Sequence, residues 1–368
     1  MSEETPAGPP AQTSAQRPRD GRFATMLVSG ALAAALCVAA LLIPVPYVVE
    51  SPGPTFNTLG TDNGKSVIQI SGEKTYPTSG NLDLVTVYVN GGLPQNSINV
   101  FQALAGWLDS NRAVYPAELM YPPGLTQSEV SNENAAAMTS SQESATAAAL
   151  DQLGIKYGSS LSVAQIPSGS PSAGKLQAGD ILLAINGAPI TGIAVVQKTL
   201  AEGAGKPVTV HLSRGSAEQD VQVTPALASN GKYLLGISLA TKFDFPFEVS
   251  IALSNVGGPS AGMMFALGII DTLSPTDLTG GKHFAGTGTI DPAGNVGAIG
   301  GIAQKMVGAR NSGATVFLAP GANCNDVAGH VPAGLQVVKV DTLSAAYDAV
   351  KLIGSGQDGS ALPTCSAN

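Results

Sequence analysis

Asn255-Val-Gly-Gly-Pro-Ser-Ala-Gly-Met-Met-Phe-Ala-Leu-Gly-Ile-Ile270 sets a single serine, Ser260, among small residues at the mouth of an apolar helix. A serine hydroxyl is a weak nucleophile until a base stands beside it. Downstream, in Gly300-Gly-Ile-Ala-Gln-Lys-Met-Val-Gly-Ala-Arg310, Lys305 shares a helical stripe with Ile302, Met306 and Ala309, because residues three and four apart face the same way. An inward lysine is costly unless it is neutral or paired. Lysine titrates at about 10.4 in water, and burial disfavours its charged form. A neutral Lys305 can take the Ser260 proton and later return it to a leaving amine. The two segments therefore read as a Ser/Lys dyad. Backbone N–H groups around Gly258, Pro259 and Ala261 are expected to form the oxyanion hole, aided by the helix N-terminus. Thr287 or Thr289 is expected to orient the amine, Thr287 being preferred. Each feature alone has a plainer reading: Ser260 as a helix N-cap, and Lys305 as a surface lysine whose stem packs while its amine reaches water.

The segments Gly257-Gly-Pro-Ser-Ala-Gly262 and Ile299-Gly-Gly-Ile-Ala-Gln-Lys305, the latter followed by Ala309-Arg310 and Gly313, resemble the Lon-type serine peptidases. Gly286-Thr-Gly-Thr-Ile290 and Gly294-Asn-Val-Gly297 resemble that family's connecting strands. The resemblance implies Ser260 as nucleophile and Lys305 as general base. The chain departs from the family at Val256-Gly257, where Lon proteins commonly carry a Lys-Asp pair that bears on substrate-side contacts. A rival enzyme reading takes Gly258-Pro-Ser-Ala-Gly262 as a nucleophile elbow, which needs a later Asp and His. Asp326 with His330 is the one tolerable pair, and no strand–helix series precedes the serine. His283 and His330 read as surface histidines.

Ahead of this region, Ser170-Pro-Ser-Ala-Gly-Lys-Leu-Gln-Ala-Gly-Asp-Ile-Leu-Leu-Ala-Ile-Asn-Gly187 joins an Ala-Gly-Asp turn, an apolar strand and an Asn-Gly hairpin signal. It resembles a PDZ domain, which captures an extended peptide as an added strand. The expected groove lies between the strand Leu161 to Ile166 and the helix Val195 to Glu202, lined by Leu161, Val163, Ile193, Val196 and Leu200. The alternative is a PDZ that only packs on its neighbour.

Met26 to Ile43 carries no charge, follows Arg17, Arg19 and Arg22, and is eighteen residues long, the lower end for a spanning helix. The arginines place the N-terminus in the cytoplasm and the bulk outside, on the cytoplasmic membrane. A cleaved signal peptide is the competing reading. Cys324 and Cys365 would then lie in an oxidising space, where a disulfide and two free thiols are both open. Three Cys and three His at these spacings make no zinc site, and the formal charge of −8 argues against nucleic acid.

Gly60-Thr-Asp-Asn-Gly-Lys-Ser66 misses a P-loop by one residue of spacing and by Leu59 in place of glycine. No cofactor, metal or nucleotide is expected. The partners expected are a protein or peptide substrate and the membrane, with a homo-oligomer as a family-level expectation.

The chain thus reads as a mixed α+β and α/β protein with an N-terminal transmembrane helix, a PDZ domain and a Lon-type proteolytic domain. Expected boundaries are a disordered tail 1–22, an anchor 24–44, a β-rich and helical region 45–150 packing with the protease, a PDZ 154–225, a proteolytic domain 234–353 and a flexible tail 354–368. Within 118–153, apolar residues look too sparse for a core, although 134–153 reads as a helix. This order resembles the membrane-anchored YlbL-like subgroup of Lon peptidases. The alternative is a PDZ scaffold with an idle Lon-type domain.

Overall fold

A computed structural model describes residues 21–254 and 256–365, together with Gly8. The chain divides into two compact units, Met1–Glu50 with Val89–Gln127, and Ser51–Tyr88 with Ser128–Asn368. Residues 1–20, Gly8 apart, lie outside the described residues, as do Arg17 and Arg19. Gly21 and Arg22, expected in the tail, already belong to helix α1 (Gly21–Leu42). At 1.5 Å per residue its 22 residues span about 33 Å, enough for a bilayer core. Its mean hydropathy reaches 2.3 and its apolar window is unburied.

Pro44 and Pro46 end the helix, and the chain passes into β1 (Pro44–Val45), then β2 (Tyr47–Asn57), β3 (Ile68–Ser71), β4 (Asn81–Gly91) and β5 (Ile98–Asn99). After β5 come α2 (Val100–Leu108), β6 (Ala113–Pro116) and the long α3 (Gln127–Gln152). In the first unit, β1 pairs with β5, and Tyr47 to Glu50 of β2 pair antiparallel with β6. Its small core is Val49, Ile98 and Ala103, with Val45, Tyr47 and Val114 packed against it.

The second unit holds two large sheets. Strands β7 (Gly158–Gln165) and β8 (Ile181–Ile185), helix α4 (Ile193–Gly203), and strands β9 (Val208–Arg214), β10 (Ala217–Val223) and β11 (Ser238–Asp244) form the first module. Its strands run β10–β9–β8–β7–β11, all antiparallel, with a short Ala188–Pro189 strand on β8. Asp180 of the Ala-Gly-Asp turn is buried; its carboxyl accepts from Arg214 and from the Gln177 N–H, and the arginine holds its pKa below the usual carboxylate range.

The remaining elements are β12 (Glu248–Ile251), α5 (Gly262–Leu273), β13 (His283–Gly286), α6 (Ile302–Asn311), β14 (Val316–Pro320), β15 (Gln336–Val340) and α7 (Leu343–Gly354). The second sheet runs β15–β14–β13–β4–β2, with β15, β14, β13 and β4 parallel. Parallel strands buried on both faces read as continuous apolar runs, as Val316-Phe-Leu-Ala-Pro320 does.

The organisation differs from the expectation in several places. The 45–150 region, expected to pack with the protease, supplies part of its sheet: β4 is an interior strand of the second sheet. Helix α3 is a core helix, with Met138, Ser141 and Ala145 to Leu150 buried. Its alanines let neighbouring elements approach closely, so it packs without the large apolar stripe that marks most buried helices. The PDZ module extends past 225, because β11, expected beyond it, pairs with β7 from Ser238↔Gln165 to Asp244↔Gly158. The 354–365 stretch is tied down rather than flexible. Gln336 donates to the Gly359 carbonyl, the Lys339 N–H donates to the Pro363 carbonyl, and Cys365 is disulfide-bonded to Cys324 with 4.8 Å between Cα atoms.

Candidate active site

Helix α5 is buried along most of its length, from Gly262 to Asp271, and Ser260 sits two residues before it. The approach to this helix is closed by small residues. Gly258 has φ +84°, a left-handed backbone that favours glycine. At Gly262 a Cβ would come within 2.8 Å of both Ile290 and Ser141. The turn is gripped from two sides. The Gly288 N–H and the Thr287 hydroxyl donate to the Ser260 carbonyl at 2.8 and 2.9 Å. From α3, the Ser141 hydroxyl donates to the Pro259 carbonyl at 3.0 Å, and the Asn134 carbonyl accepts from the Gly258 N–H at 2.9 Å. Ser260 is half-buried, so its hydroxyl stays within reach of a ligand.

Lys305 projects from α6 and is 3% exposed. Its Nζ lies 2.9 Å from Ser260 Oγ and 3.2 Å from Thr287 Oγ1. The snorkelling reading fails, because the amine ends inside. Ser260 is no N-cap either: Ala261 holds that position, without a side-chain bond. Thr287 is fully buried and bonds both the amine and the serine's own carbonyl. It comes from the chain just past β13, which is how the second sheet fixes three segments of sequence on one point.

The oxyanion expectation narrows. The Gly258 N–H is taken by Asn134 and Pro259 has none, so Ser260 and Ala261 supply the turn's remaining backbone donors. His283 is not a surface residue. It is half-buried, and its Nε2 meets Asp83 Oδ2 at 2.7 Å. The rival hydrolase reading relies on Asp326 and His330: Asp326 accepts from Asn323, His330 is exposed, and it is Lys305 that bonds Ser260 Oγ. Asn134 and Ser141 were missed from the sequence: they lie more than a hundred residues away on a polar helix, and no spacing links them to the serine.

The expected peptide groove needs a correction. Strand β7 is flanked by β8 on one side and β11 on the other, so no edge remains for an added strand. Leu161 and Val163 of β7 are core residues. Of the sheet's two end strands, β10 and β11, it is β11 whose entry borders α4. An apolar cavity of about 390 Å³ lies between α4, through Ile193, Val196 and Leu200, and the segment Leu234 to Leu239 leading into β11. Of the residues expected to line the groove, Ile193, Val196 and Leu200 border this cavity, and Leu161 and Val163 do not.

Near α5's C-terminal end, Asp271 is 1% exposed. Its Oδ1 accepts from the Leu278 N–H at 2.7 Å, and its Oδ2 has no partner among the described residues. Burial, with Asp277 nearby, pushes its pKa up from 3.8 to about 6. Among the described residues no cluster of three or more His, Cys, Asp or Glu is arranged for a metal.

Residues 252–351 match the Lon protease (S16) C-terminal proteolytic domain, and residues 163–214 match the PDZ domain. The Lon protease of Mesomycoplasma hyopneumoniae (strain 232) is 38% identical over 94 residues, which is 25% of this chain and 11% of that protein. The Lon protease of Campylobacter concisus (strain 13826) is 28% identical over 160 residues, 42% of this chain and 20% of that protein. The chain thus spans a fifth or less of the curated relatives it matches. The crystallised PDZ domain of an SdrC-like protein from Listeria monocytogenes is 21% identical, covering 22% of this chain and 85% of that domain with a TM-score of 0.21. The chain carries a Lon-type C-terminal proteolytic domain and a PDZ domain.

Proposed function

We propose that this chain, which joins a PDZ domain to a Lon-type proteolytic domain, is a membrane-anchored serine endopeptidase that works without ATP through Ser260 and Lys305. The observation that carries the reading is the buried Lys305 Nζ at 2.9 Å from Ser260 Oγ. Burial disfavours an ammonium, and only the neutral amine can accept a proton. Ser260 Oγ attacks the scissile carbonyl carbon while its proton passes to Lys305 Nζ. The carbonyl oxygen becomes an oxyanion, held by the Ser260 and Ala261 N–H groups at the start of α5. As the C–N bond breaks, Lys305 returns the proton to the leaving amine and an acyl-serine remains. Water, deprotonated by the same lysine, then attacks the ester and restores the hydroxyl. Thr287 holds the amine on the serine's side.

The edge of β11 and the α4 groove are proposed to take an extended segment of the protein substrate. With no nucleotide module expected, that substrate is a flexible or unfolded segment. α1 is proposed to hold the chain in the cytoplasmic membrane, with both domains outside the cytoplasm.

A fluorophosphonate probe and an unfolded protein substrate test this together. Wild type is expected to be labelled and active. Ser260→Ala is expected to be unlabelled and inactive. Lys305→Ala and Lys305→Arg are expected to be folded and inactive, since a guanidinium does not give up its proton. Full activity in Lys305→Arg would exclude the lysine as base.

A further inference from the structure

Helix α2 is built inside out. Its small residues Ala103 and Gly106 are buried. A Cβ on Gly106 would stand 2.8 Å from a Val114 methyl and 3.2 Å from those of Val49. The large apolar residues point the other way. Phe101, Leu104 and Leu108, spaced three and four apart and so on one face, are 45%, 44% and 88% exposed. No charge occurs from Asn99 to Leu108; Asp109 and Arg112 follow. The helix is formed firmly, because Asn99 and Gln102 make a reciprocal capping box. A rigid helix with its large apolar side chains outward is suited to a solvent other than water.

The chain's path identifies that solvent. Helix α1 ends at Leu42, and two residues later Pro44 pairs with Asn99, the N-cap of α2. Paired antiparallel residues lie about 5 Å apart, so α2 begins beside the point where α1 ends, and the two helices touch. Trp107, on the flank of α2 and edge-on to Tyr47 at 5.4 Å, is of the residue type that settles at the headgroup level. We propose that α2 lies in the membrane interface with Phe101, Leu104 and Leu108 in the acyl boundary, so that the first unit is attached to the bilayer by a second element besides α1. The proposal rests on α1 being a membrane anchor.

Trp107 is the chain's single tryptophan, so its fluorescence reports on α2 alone. The full chain is reconstituted into phosphatidylcholine–phosphatidylglycerol vesicles, with or without lipids brominated in the upper acyl chain. A face buried 5–10 Å into the headgroup boundary is expected to let bromolipid quench Trp107 by about twofold, while dissolved iodide does not quench it. A Leu104→Glu/Leu108→Glu variant is expected to stay in the vesicles under alkaline carbonate, to lose bromolipid quenching and to become open to iodide. The wild-type result stands by itself if that variant misfolds by circular dichroism. Iodide quenching of wild type without a bromolipid effect overturns the proposal. Shielding from both quenchers that vanishes as protein is diluted in lipid assigns the face to a second copy and also overturns it. Release of wild type by carbonate removes the anchor reading, and this proposal with it, and so marks a failure distinct from the other two.

Discussion

Asp271→Asn isolates the charge buried near the C-terminal end of the helix that follows the serine. In the native protein burial pushes the Asp271 carboxyl up to about 6, against 3.8 for a free aspartate side chain. Each pH unit of separation is worth ~1.4 kcal/mol, so the full difference amounts to ~3 kcal/mol. The sign follows from proton binding. Between pH 3.8 and about 6 the native state keeps a proton that the unfolded chain has released. This group's stabilisation is therefore complete below pH 3.8 and is lost as pH rises through about 6, after which it stays lost. Asparagine keeps the acceptor for the Leu278 N–H but buries an unpartnered amide in place of Oδ2, a cost of about 1–3 kcal/mol that does not vary with pH.

Urea unfolding of the detergent-solubilised chain, followed by circular dichroism from about pH 4 to about pH 7.5, gives the stability of both proteins. The other carboxylates cancel in the difference. The expected result is that Asp271→Asn gains ~2.5 kcal/mol of that difference relative to wild type across that range, starting less stable and ending level or ahead. A difference that stays constant with pH would refute the account of Asp271 as a carboxyl ionised against its burial.

Thr287→Val removes the hydroxyl that bonds both Lys305 and the Ser260 carbonyl, and kcat/KM is expected to fall about 10–100-fold in peptide assays with KM little changed, while Thr287→Ser retains most activity; equal losses in both would make the residue merely space-filling. Ile193→Glu charges the half-exposed wall of the α4 groove, a safer site than Leu200, which is 4% exposed. It is expected to raise KM for a protein substrate and to leave a short peptide unaffected, and an unchanged protein KM would remove the groove from substrate capture. Cys324→Ser opens a link between residues 41 apart, and chain entropy sets the expected loss at about 4 kcal/mol in urea unfolding, less where the reduced chain retains structure.

The local chemistry was legible in the sequence because it is written in local patterns. Period-3.6 spacing placed Lys305 on the apolar stripe of its helix, and the glycines around Ser260 marked a tight approach. The Ala-Gly-Asp turn with its following strand marked the first module, and an uncharged run with arginines before it marked a candidate membrane span. Each depends on residues a few positions apart, which share a face or a turn whatever the rest of the chain does.

What the sequence left open depended on pairing between distant segments. No pattern in β11 shows that it belongs beside β7 rather than with the protease that follows it, since a short strand of mixed polar and apolar residues fits the border of either sheet; only the register from Ser238 to Asp244 decides that. Helix α3 reads as too polar for a core because alanine and serine carry little hydrophobic signal, yet their small size lets the helix come close enough for the Ser141 hydroxyl and the Asn134 backbone carbonyl to bond the turn before Ser260. The buried cost of Asp271 and the outward face of α2 likewise follow from what surrounds them. The sequence by itself determined which residues can do chemistry; the tertiary structure decided which of them meet, because a side chain's neighbours are set by sheet order and close packing rather than by its place in the chain.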